Sequence, residues 1–192
     1  FRTGRVAVFG DPDMPAAIAT EAARIGAELW RFGVEFGVEP CDGRQWNYLG
    51  RHGMRSALPL PALRGAYQLQ NASAALAALD ALRTRLPVDM LAVRRGLTEV
   101  VLASRFQVVP GRPAWILDVA HNPHAARALA RNLAEMPCGG RTIAVFSMLG
   151  DKDMTGVAAA MAGRVDAWLV APLHGPRAAS AAELAAALQA GG

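Results

Sequence analysis

The sequence predicts an α/β protein whose second half is a Rossmann-like parallel sheet. After residue 103, apolar segments alternate three times with helical segments, which is the pattern of parallel strands joined by helices. The predicted strands are apolar at nearly every position, as is typical of strands covered on both faces. With 53% hydrophobic residues among 192, the chain has enough apolar surface for one large domain or two small ones.

The first half is predicted to have a mixed structure. Its apolar residues follow both strand and helix periodicities, and Gly-rich turns separate the short strands. The predicted elements are a strand at Arg5–Gly10, a helix from Pro15, short strands in ELWRFG, WNYL and Met54–Leu60, and helices at about Ala66–Arg83 and Val88–Val101. The short strands are expected to form an antiparallel or mixed edge region.

The second half has a clearer pattern, and the boundary between two domains, 1–102 and 103–192, is expected just before it. The turn Pro110-Gly111-Arg112-Pro113 leads from a short strand, RFQVV, into the alternating part. The predicted strands are Ala114–Ala120, Arg141–Met148 and Val165–Pro172, and the predicted helices are Pro123–Met136, Met154–Gly163 and Ala181–Leu188.

Composition excludes several classes of function. The net charge is +4, but the basic residues are dispersed and aromatic residues make up only 6%, so no nucleic-acid surface is expected. No apolar run approaches the ~20 residues that a membrane span needs. Two cysteines, Cys41 and Cys138, have no metal-ligand spacing and indicate a reducing, cytoplasmic setting. A monomer is expected, and the lack of an initiator methionine suggests a piece of a longer protein.

The distribution of basic residue types constrains how the chain could handle phosphate. Of the 20 basic residues, 19 are arginine and one is Lys152, which lies in Gly-Asp-Lys-Asp. A P-loop requires Gly-Lys followed by Ser or Thr, so the chain has none. Arginine, helix N-termini or another part of the protein must therefore hold any phosphate that it uses.

Polar residues follow the first predicted strand of the second half. In a parallel sheet, ligands bind at the carboxyl ends of the strands, and this end carries Asp118-Val-Ala-His121-Asn122-Pro123. Asn122 and Pro123 form a helix cap and first turn. Asp118 is costly to bury unless it is paired or used, and an acidic residue there commonly binds ribose hydroxyls. Taken alone, His121 is more often structural than catalytic.

Three further residues are candidates, each with an ordinary alternative. Arg105 lies on the segment that joins the two predicted domains and could bind phosphate, although a lone arginine is usually a surface residue. Asn71 shares a helix face with alanines and could bond to an adenine, but an exposed asparagine is the simpler interpretation. Lys152 follows the second strand of the second half, where its cluster could simply cap the next helix.

Five blocks, in order, resemble the C-terminal half of the folylpolyglutamate synthase/dihydrofolate synthase family of Mur ligases. They are QLQNASAALAALDAL, SRFQVV, ILDVAHNPHAARAL, FSMLGDKD and APLHGPRAASAAEL. The resemblance covers nearly the whole chain and implies a C-terminal domain of the Mur ligase type after the remnant of a central ATPase domain. It also implies that the P-loop and the Mg²⁺ ligands belong to the N-terminal half, so that no metal ligand is expected in this chain.

The resemblance implies an ATP-dependent ligase that joins L-glutamate to dihydropteroate, or to tetrahydrofolate polyglutamates, through an acyl phosphate. Asn71 matches the asparagine that contacts adenine, Arg105 the arginine that reaches the phosphates, and Asp118 the aspartate on the ribose side. The catalytic candidate His121, with Lys152 and Arg177, lies in blocks around the incoming glutamate. One departure is that the family has Pro-Gly-Arg where this chain has Ala103-Ser104-Arg105.

Two alternatives remain open at the level of sequence. A peptidoglycan amino-acid ligase shares the DxAHNP motif but has Thr or Ser at the position of Asn122 and lacks GPRAAS. A non-catalytic nucleotide-binding module is the other alternative, and the lack of a P-loop would be normal for such a module. The choice between dihydrofolate synthase, folylpolyglutamate synthase and both depends on a pterin pocket outside this chain, and a bifunctional enzyme is the expectation.

Overall fold

The computed structural model describes residues 1–41, 43–65, 67–136 and 139–192, which fall into two compact units. The first unit is Phe1–Leu63 with Tyr67–Val101, and the second is Arg64–Ala66 with Leu102–Gly192. The assignment of residues 1–102 and 103–192 to two particular domains of a ligase stays a prediction. Cys138, one of the two cysteines, lies outside the described residues.

The first unit begins with a parallel strand–helix–strand element. Strand β1 (Val6–Phe9) and strand β2 (Glu28–Arg31) pair in parallel and are joined by helix α1 (Ala16–Ile25). The helix ends at Gly26, whose φ of 70° is the left-handed conformation that glycine adopts without steric cost. The predicted strand at Arg5–Gly10 and the helix from Pro15 are thereby confirmed.

An antiparallel sheet and two helices complete the first unit. The sheet has the order β3 (Gly37–Pro40), β4 (Gln45–Gly50) and β5 (Gly53–Pro59), and the helices are α2 (Gln68–Ala81) and α3 (Met90–Glu99). β3 was not predicted, because GVEP carries a proline and has no apolar alternation. The core contains Trp46, Tyr48 and Leu58, packed on residues of α2 and α3.

A buried polar network joins α2 to the antiparallel sheet. Asp80 of α2 is 5% exposed, accepts a hydrogen bond from the Tyr48 hydroxyl at 2.9 Å and forms an ion pair with Arg55. The buried face of α2 consists of Ser73, Leu76, Ala77 and Asp80, so it includes a hydroxyl and a carboxylate. Polar partners on β4 and β5 allow this carboxylate to be buried.

The second unit alternates strands and helices, as predicted. In chain order the elements are β6 (Gln107–Val109), β7 (Trp115–Leu117), α4 (Pro123–Ala134), β8 (Ile143–Phe146), α5 (Met154–Met161), β9 (Ala167–Val170) and α6 (Ala181–Gly191). The parallel pair is β8 and β9, with Ile143 opposite Ala167 and Phe146 opposite Val170. Alanines of α4 pack with Phe146, Val157 and Leu184 in the core of this unit.

Two details of the predicted parallel sheet are wrong. The strand predicted at Ala114–Ala120 is only three residues long and pairs antiparallel with β6, because the tight turn between them favours a local hairpin. The sheet is also not covered on both faces within the described residues. Phe146 packs on the helices, whereas Ile143, Val145 and Leu169 are 56–62% exposed.

No helix in the described part of the chain has both the length and the apolar character that crossing a membrane requires.

Candidate functional site

Arg105 lies between two residues that have left-handed backbone conformations. Ser104 has a φ of 56° and Phe106 a φ of 47°, which is uncommon for residues other than glycine. The Phe106 ring is buried, whereas Arg105 is exposed. Within the described residues the Arg105 side chain has no hydrogen bond or ion pair. It therefore presents a positive charge that an anionic group could bind.

Asp118 accepts two backbone hydrogen bonds directly after β7. Its Oδ2 accepts the Phe106 N–H at 2.8 Å, and its Oδ1 accepts the Ala120 N–H at 2.8 Å. The side chain of Gln107 accepts the Ser104 N–H at 3.1 Å. Each Asp118 oxygen keeps a lone pair, so the exposed carboxylate can still accept a ligand hydroxyl.

His121 precedes the first turn of α4. Its Nδ1 lies 3.0 Å from the Val119 carbonyl oxygen. Because a carbonyl can only accept, Nδ1 donates, and in the neutral ring Nε2 carries the free lone pair. Asn122 caps α4 by accepting the Ala125 N–H at 2.9 Å, and Pro123 follows, as predicted. The exposed imidazole can thus accept a proton at Nε2 from a nearby ligand.

The loops after β8 and β9 are joined at the same edge of the sheet. The Gly150 N–H donates to the Arg177 carbonyl at 2.8 Å, and Leu149 forms an antiparallel bridge with Ala178. Arg177 donates to Asp151 at 2.6 Å. This hydrogen bond, with a smaller contribution from Lys152, holds the pKa of the Asp151 carboxyl below its usual value. Arg177 is therefore already paired, while Lys152 is half-buried between Asp151 and Asp153.

A close approach of α4 and α5 places the first of these loops near His121. Asp153 caps α5 by accepting the Gly156 N–H at 2.8 Å. A Cβ on Gly156 would lie 2.7 Å from Cγ of Pro123 and would also overlap the Asp153 carboxylate. Glycine therefore favours this close approach, which places Pro123 of DVAHNP beside the first turn of α5.

Asn71 lies in the first unit, on the exposed face of α2. Its Nδ2 is 3.4 Å from Oε1 of Gln68, a long contact that leaves the amide available to a ligand. Gln70 donates to the carbonyl of Gly10, at the carboxyl end of β1. The start of α2 is thereby attached to the end of a parallel strand, which is where ligands bind in α/β units.

Sequence reasoning missed three polar residues of the second unit. Gln107 and Ser104 form the hydrogen bond described above. The third is Ser147, whose buried hydroxyl has no hydrogen-bond partner among the described residues. Ser147 directly follows β8, and its place at a strand end was the available signal. Ser104 carried a signal too, because the resemblance described above implies a glycine at its position.

The described residues contain no group of three or more His, Cys, Asp or Glu side chains that could hold a metal ion. The donor set of the described residues therefore does not fit a Mg²⁺ site of its own, and no step of the chemistry is assigned to a metal held by them.

Comparison with known families identifies the second unit. Residues 104–192 match the family described as Mur ligase, glutamate ligase domain. Over these residues, a little under half of the chain, it is similar to Mur ligases.

Within the Mur ligases the chain is similar to dihydrofolate synthase/folylpolyglutamate synthases. It is 43% identical to that of Escherichia coli over 96% of this chain and 42% of the relative. It is 34% identical to that of Mycobacterium tuberculosis, over 95% and 39%.

Solved structures show the same likeness. E. coli FolC in complex with DHPP and ADP aligns with a TM-score of 0.87 at 42% identity, covering 98% of this chain and 44% of that one. A bifunctional folylpolyglutamate synthase/dihydrofolate synthase with Mn, AMPPNP and L-glutamate bound aligns with a TM-score of 0.86 at 45% identity, covering 98% and 44%. The chain spans less than half the length of these relatives.

Proposed function

We propose that this chain is the C-terminal part of a bifunctional, ATP-dependent dihydrofolate synthase/folylpolyglutamate synthase. Such an enzyme joins L-glutamate to dihydropteroate and to tetrahydrofolate polyglutamates. The observation that carries the proposal is the alignment over 98% of the chain with an enzyme that has a nucleotide analogue and L-glutamate bound. Relatives matched over almost the whole chain favour this ligase over the peptidoglycan ligases and over a non-catalytic module.

The reaction has two steps in this proposal. The substrate carboxylate attacks the γ-phosphorus of ATP, which forms an acyl phosphate and releases ADP. The glutamate amine then attacks the acyl carbon, loses a proton and releases phosphate. Both steps concentrate negative charge on phosphate oxygens, so positioned cations and a proton acceptor are the groups that this chain can supply.

Three residues have nucleotide-binding roles in this proposal. Asn71 has an exposed amide that can bond to an adenine edge. Arg105 is an unpaired, exposed cation among the described residues and contacts the phosphates. Asp118 accepts a ribose hydroxyl through its remaining lone pairs. Magnesium is expected to bind to residues beyond those described and to the nucleotide phosphates.

The glutamate side of the proposed site uses the two adjacent loops. Nε2 of His121 accepts the proton of the attacking amine or orients that amine. Lys152 is the cation for a glutamate carboxylate, because Arg177 already bonds to Asp151. Arg177 contributes to the same site from the GPRAAS loop, where its charge adds to that of Lys152. A cytoplasmic monomer completes the proposal.

The test uses the full-length enzyme and labelled L-glutamate. We expect ATP-dependent incorporation into product with dihydropteroate and with tetrahydrofolate, and none from residues 1–192 alone, because they contain no P-loop. No incorporation with either pterin, or incorporation with a peptidoglycan precursor instead, would contradict the proposal.

A pair of arginine variants tests the site within that enzyme. Arg105→Ala should lower kcat by roughly 30- to 1000-fold, which corresponds to about 2–4 kcal/mol of lost charge stabilisation. Arg112 is also exposed and lies in the sequence Pro-Gly-Arg, so Arg112→Ala is the matched control and should change kcat little. A larger loss of kcat in Arg112→Ala than in Arg105→Ala would show that Arg112 is the residue that contacts the phosphates.

A further inference from the structure

The backbone on both sides of Arg105 has a conformation that its residues disfavour. Ser104 and Phe106 have φ values of 56° and 47°, and left-handed conformations carry a steric cost for residues with a Cβ. Such conformations persist only where the surrounding structure imposes them. Something must therefore hold this segment in place.

Two side chains hold it through backbone hydrogen bonds. Gln107 accepts the Ser104 N–H at 3.1 Å, and Asp118 accepts the Phe106 N–H at 2.8 Å. Phe106 is 6% exposed, so its side chain is buried as well. Arg105, between these fixed points, has its direction set by its neighbours rather than by contacts of its own.

The same carboxylate also holds the loop that carries His121. The second oxygen of Asp118 accepts the Ala120 N–H at 2.8 Å, and the Val119 carbonyl accepts from the His121 ring. One side chain thus connects the segment of the phosphate candidate with the loop of the proton-acceptor candidate. A hydrogen bond from an amide to an ionised carboxylate is stronger than one to a neutral acceptor, which suits this task.

We propose that Asp118 is a positioning residue for Arg105, in addition to any contact that it makes with the nucleotide. This inference rests on the proposed function. Asp118 acts through the backbone: it holds the N–H of Phe106, stabilises the left-handed conformation there and so fixes the direction in which the Arg105 guanidinium extends. Loss of Asp118 then reduces turnover through a misplaced arginine, whether or not the ribose is bound.

The first test is a double-mutant cycle in the full-length enzyme. Asp118→Ala should lower kcat about tenfold or more, because transition-state charge loses a positioned cation. Glycine adopts a positive φ freely, so adding Ser104→Gly should restore kcat about threefold. Ala103→Gly in the Asp118→Ala background is the matched control and should restore nothing. Equal rescue by both glycines, or none by either, would overturn the proposal.

A second measurement separates positioning from ribose binding. With 2′,3′-dideoxy-ATP there is no ribose hydroxyl for Asp118 to bind, yet the kcat loss of Asp118→Ala should persist undiminished. A loss confined to the KM for ATP, and absent with the dideoxy nucleotide, would reduce Asp118 to a ribose ligand. Asp118→Asn keeps an acceptor oxygen and should retain more activity than Asp118→Ala, which controls for misfolding.

Amide hydrogen exchange of Phe106, measured without substrates, tests the hydrogen bond independently of catalysis. Exchange should be slow in the parent enzyme and clearly faster in Asp118→Ala. If the parent enzyme does not incorporate glutamate, the proposed function fails while this measurement still decides the backbone role. An unchanged exchange rate would overturn it.

Discussion

Removing the Asp80 carboxylate should strongly destabilise the first unit. Asp80 is 5% exposed, and it accepts from Tyr48 at 2.9 Å while pairing with Arg55, whose side chain is 22% exposed. Arg55 Nη1 is buried without an acceptor among the described residues, and the guanidinium lies 5.8 Å from the centre of the Tyr48 ring. Asp80→Ala would therefore leave a buried cation and a buried hydroxyl with no acceptor.

The loss of unfolding free energy depends on which buried groups lose their partner. Breaking a buried ion pair by removing one partner costs about 3–5 kcal/mol, because the other charge stays buried. Tyr48→Phe removes only one neutral donor and leaves the ion pair intact, so about 1–2 kcal/mol is expected. Asp80→Asn retains an acceptor but loses the charge, so its effect should fall between those two.

Urea unfolding followed by tryptophan fluorescence measures these changes, because Trp46 and Trp30 belong to the same core. With a slope of about 1.5 kcal/mol per molar urea, Asp80→Ala should lower the midpoint by about 2–3 M. Asp13→Ala changes an exposed carboxylate and is the matched control, with an effect within about 0.5 kcal/mol. A loss below about 1 kcal/mol in Asp80→Ala, or strict additivity with Tyr48→Phe, would refute the network.

Three other predictions concern separate parts of the chain. Burial, followed by the hydrogen bond to Asp80, raises the pKa of Tyr48. The free energy of unfolding should therefore stay constant below about pH 10, where tyrosine ionises in the unfolded chain, and should fall above that pH. Thermal melts of Tyr48→Phe should lack this alkaline loss of stability. Gly156→Ala should lower stability by about 1–3 kcal/mol, because its Cβ would overlap Pro123 and Asp153. Gly96→Ala, in α3 with open space around its Cβ, should instead gain about 0.5–1 kcal/mol in the same melts. In the full-length enzyme, His121→Ala should lower kcat or impair glutamate use and leave the KM for ATP unchanged. Equal losses in the use of ATP and of glutamate, together with a large drop in Tm, would instead show that His121 is structural.

The local elements of this fold could be predicted because their signals lie close together in sequence. The cap Asn122-Pro123 marks the start of α4, and the apolar run Arg141–Met148 contains β8. Pairing could not be predicted with the same success, because it depends on which strands meet. β7 pairs with β6 through a short hairpin, although its apolar sequence is equally typical of a central parallel strand.

Buried polar residues were the other limit on prediction from sequence. Asp80 has the same helical periodicity as Leu76 and Ala77, yet a carboxylate is expected outside unless partners are known. Those partners, Tyr48 and Arg55, come from strands 25–32 residues earlier in the chain. No local pattern connects them, so the orientation of α2 became apparent only from the structure.

For the candidate site, the sequence indicated where the residues lie but not which hydrogen bonds they form. Strand ends indicated Asp118, His121 and Lys152 as candidates, because ligands bind at strand ends in α/β units. Asp118 and His121 nevertheless follow β7, which pairs antiparallel with β6, so the close approach of α4 and α5 rather than a shared parallel sheet relates their loop to that of Lys152. Their use depends on backbone amides, which no sequence motif records: Asp118 bonds to the N–H groups of Phe106 and Ala120. Serine at position 104, where the resemblance implies a glycine, was visible in the sequence. Its consequence follows only from the φ of 56°, since a residue with a Cβ at that φ needs the support that Gln107 supplies.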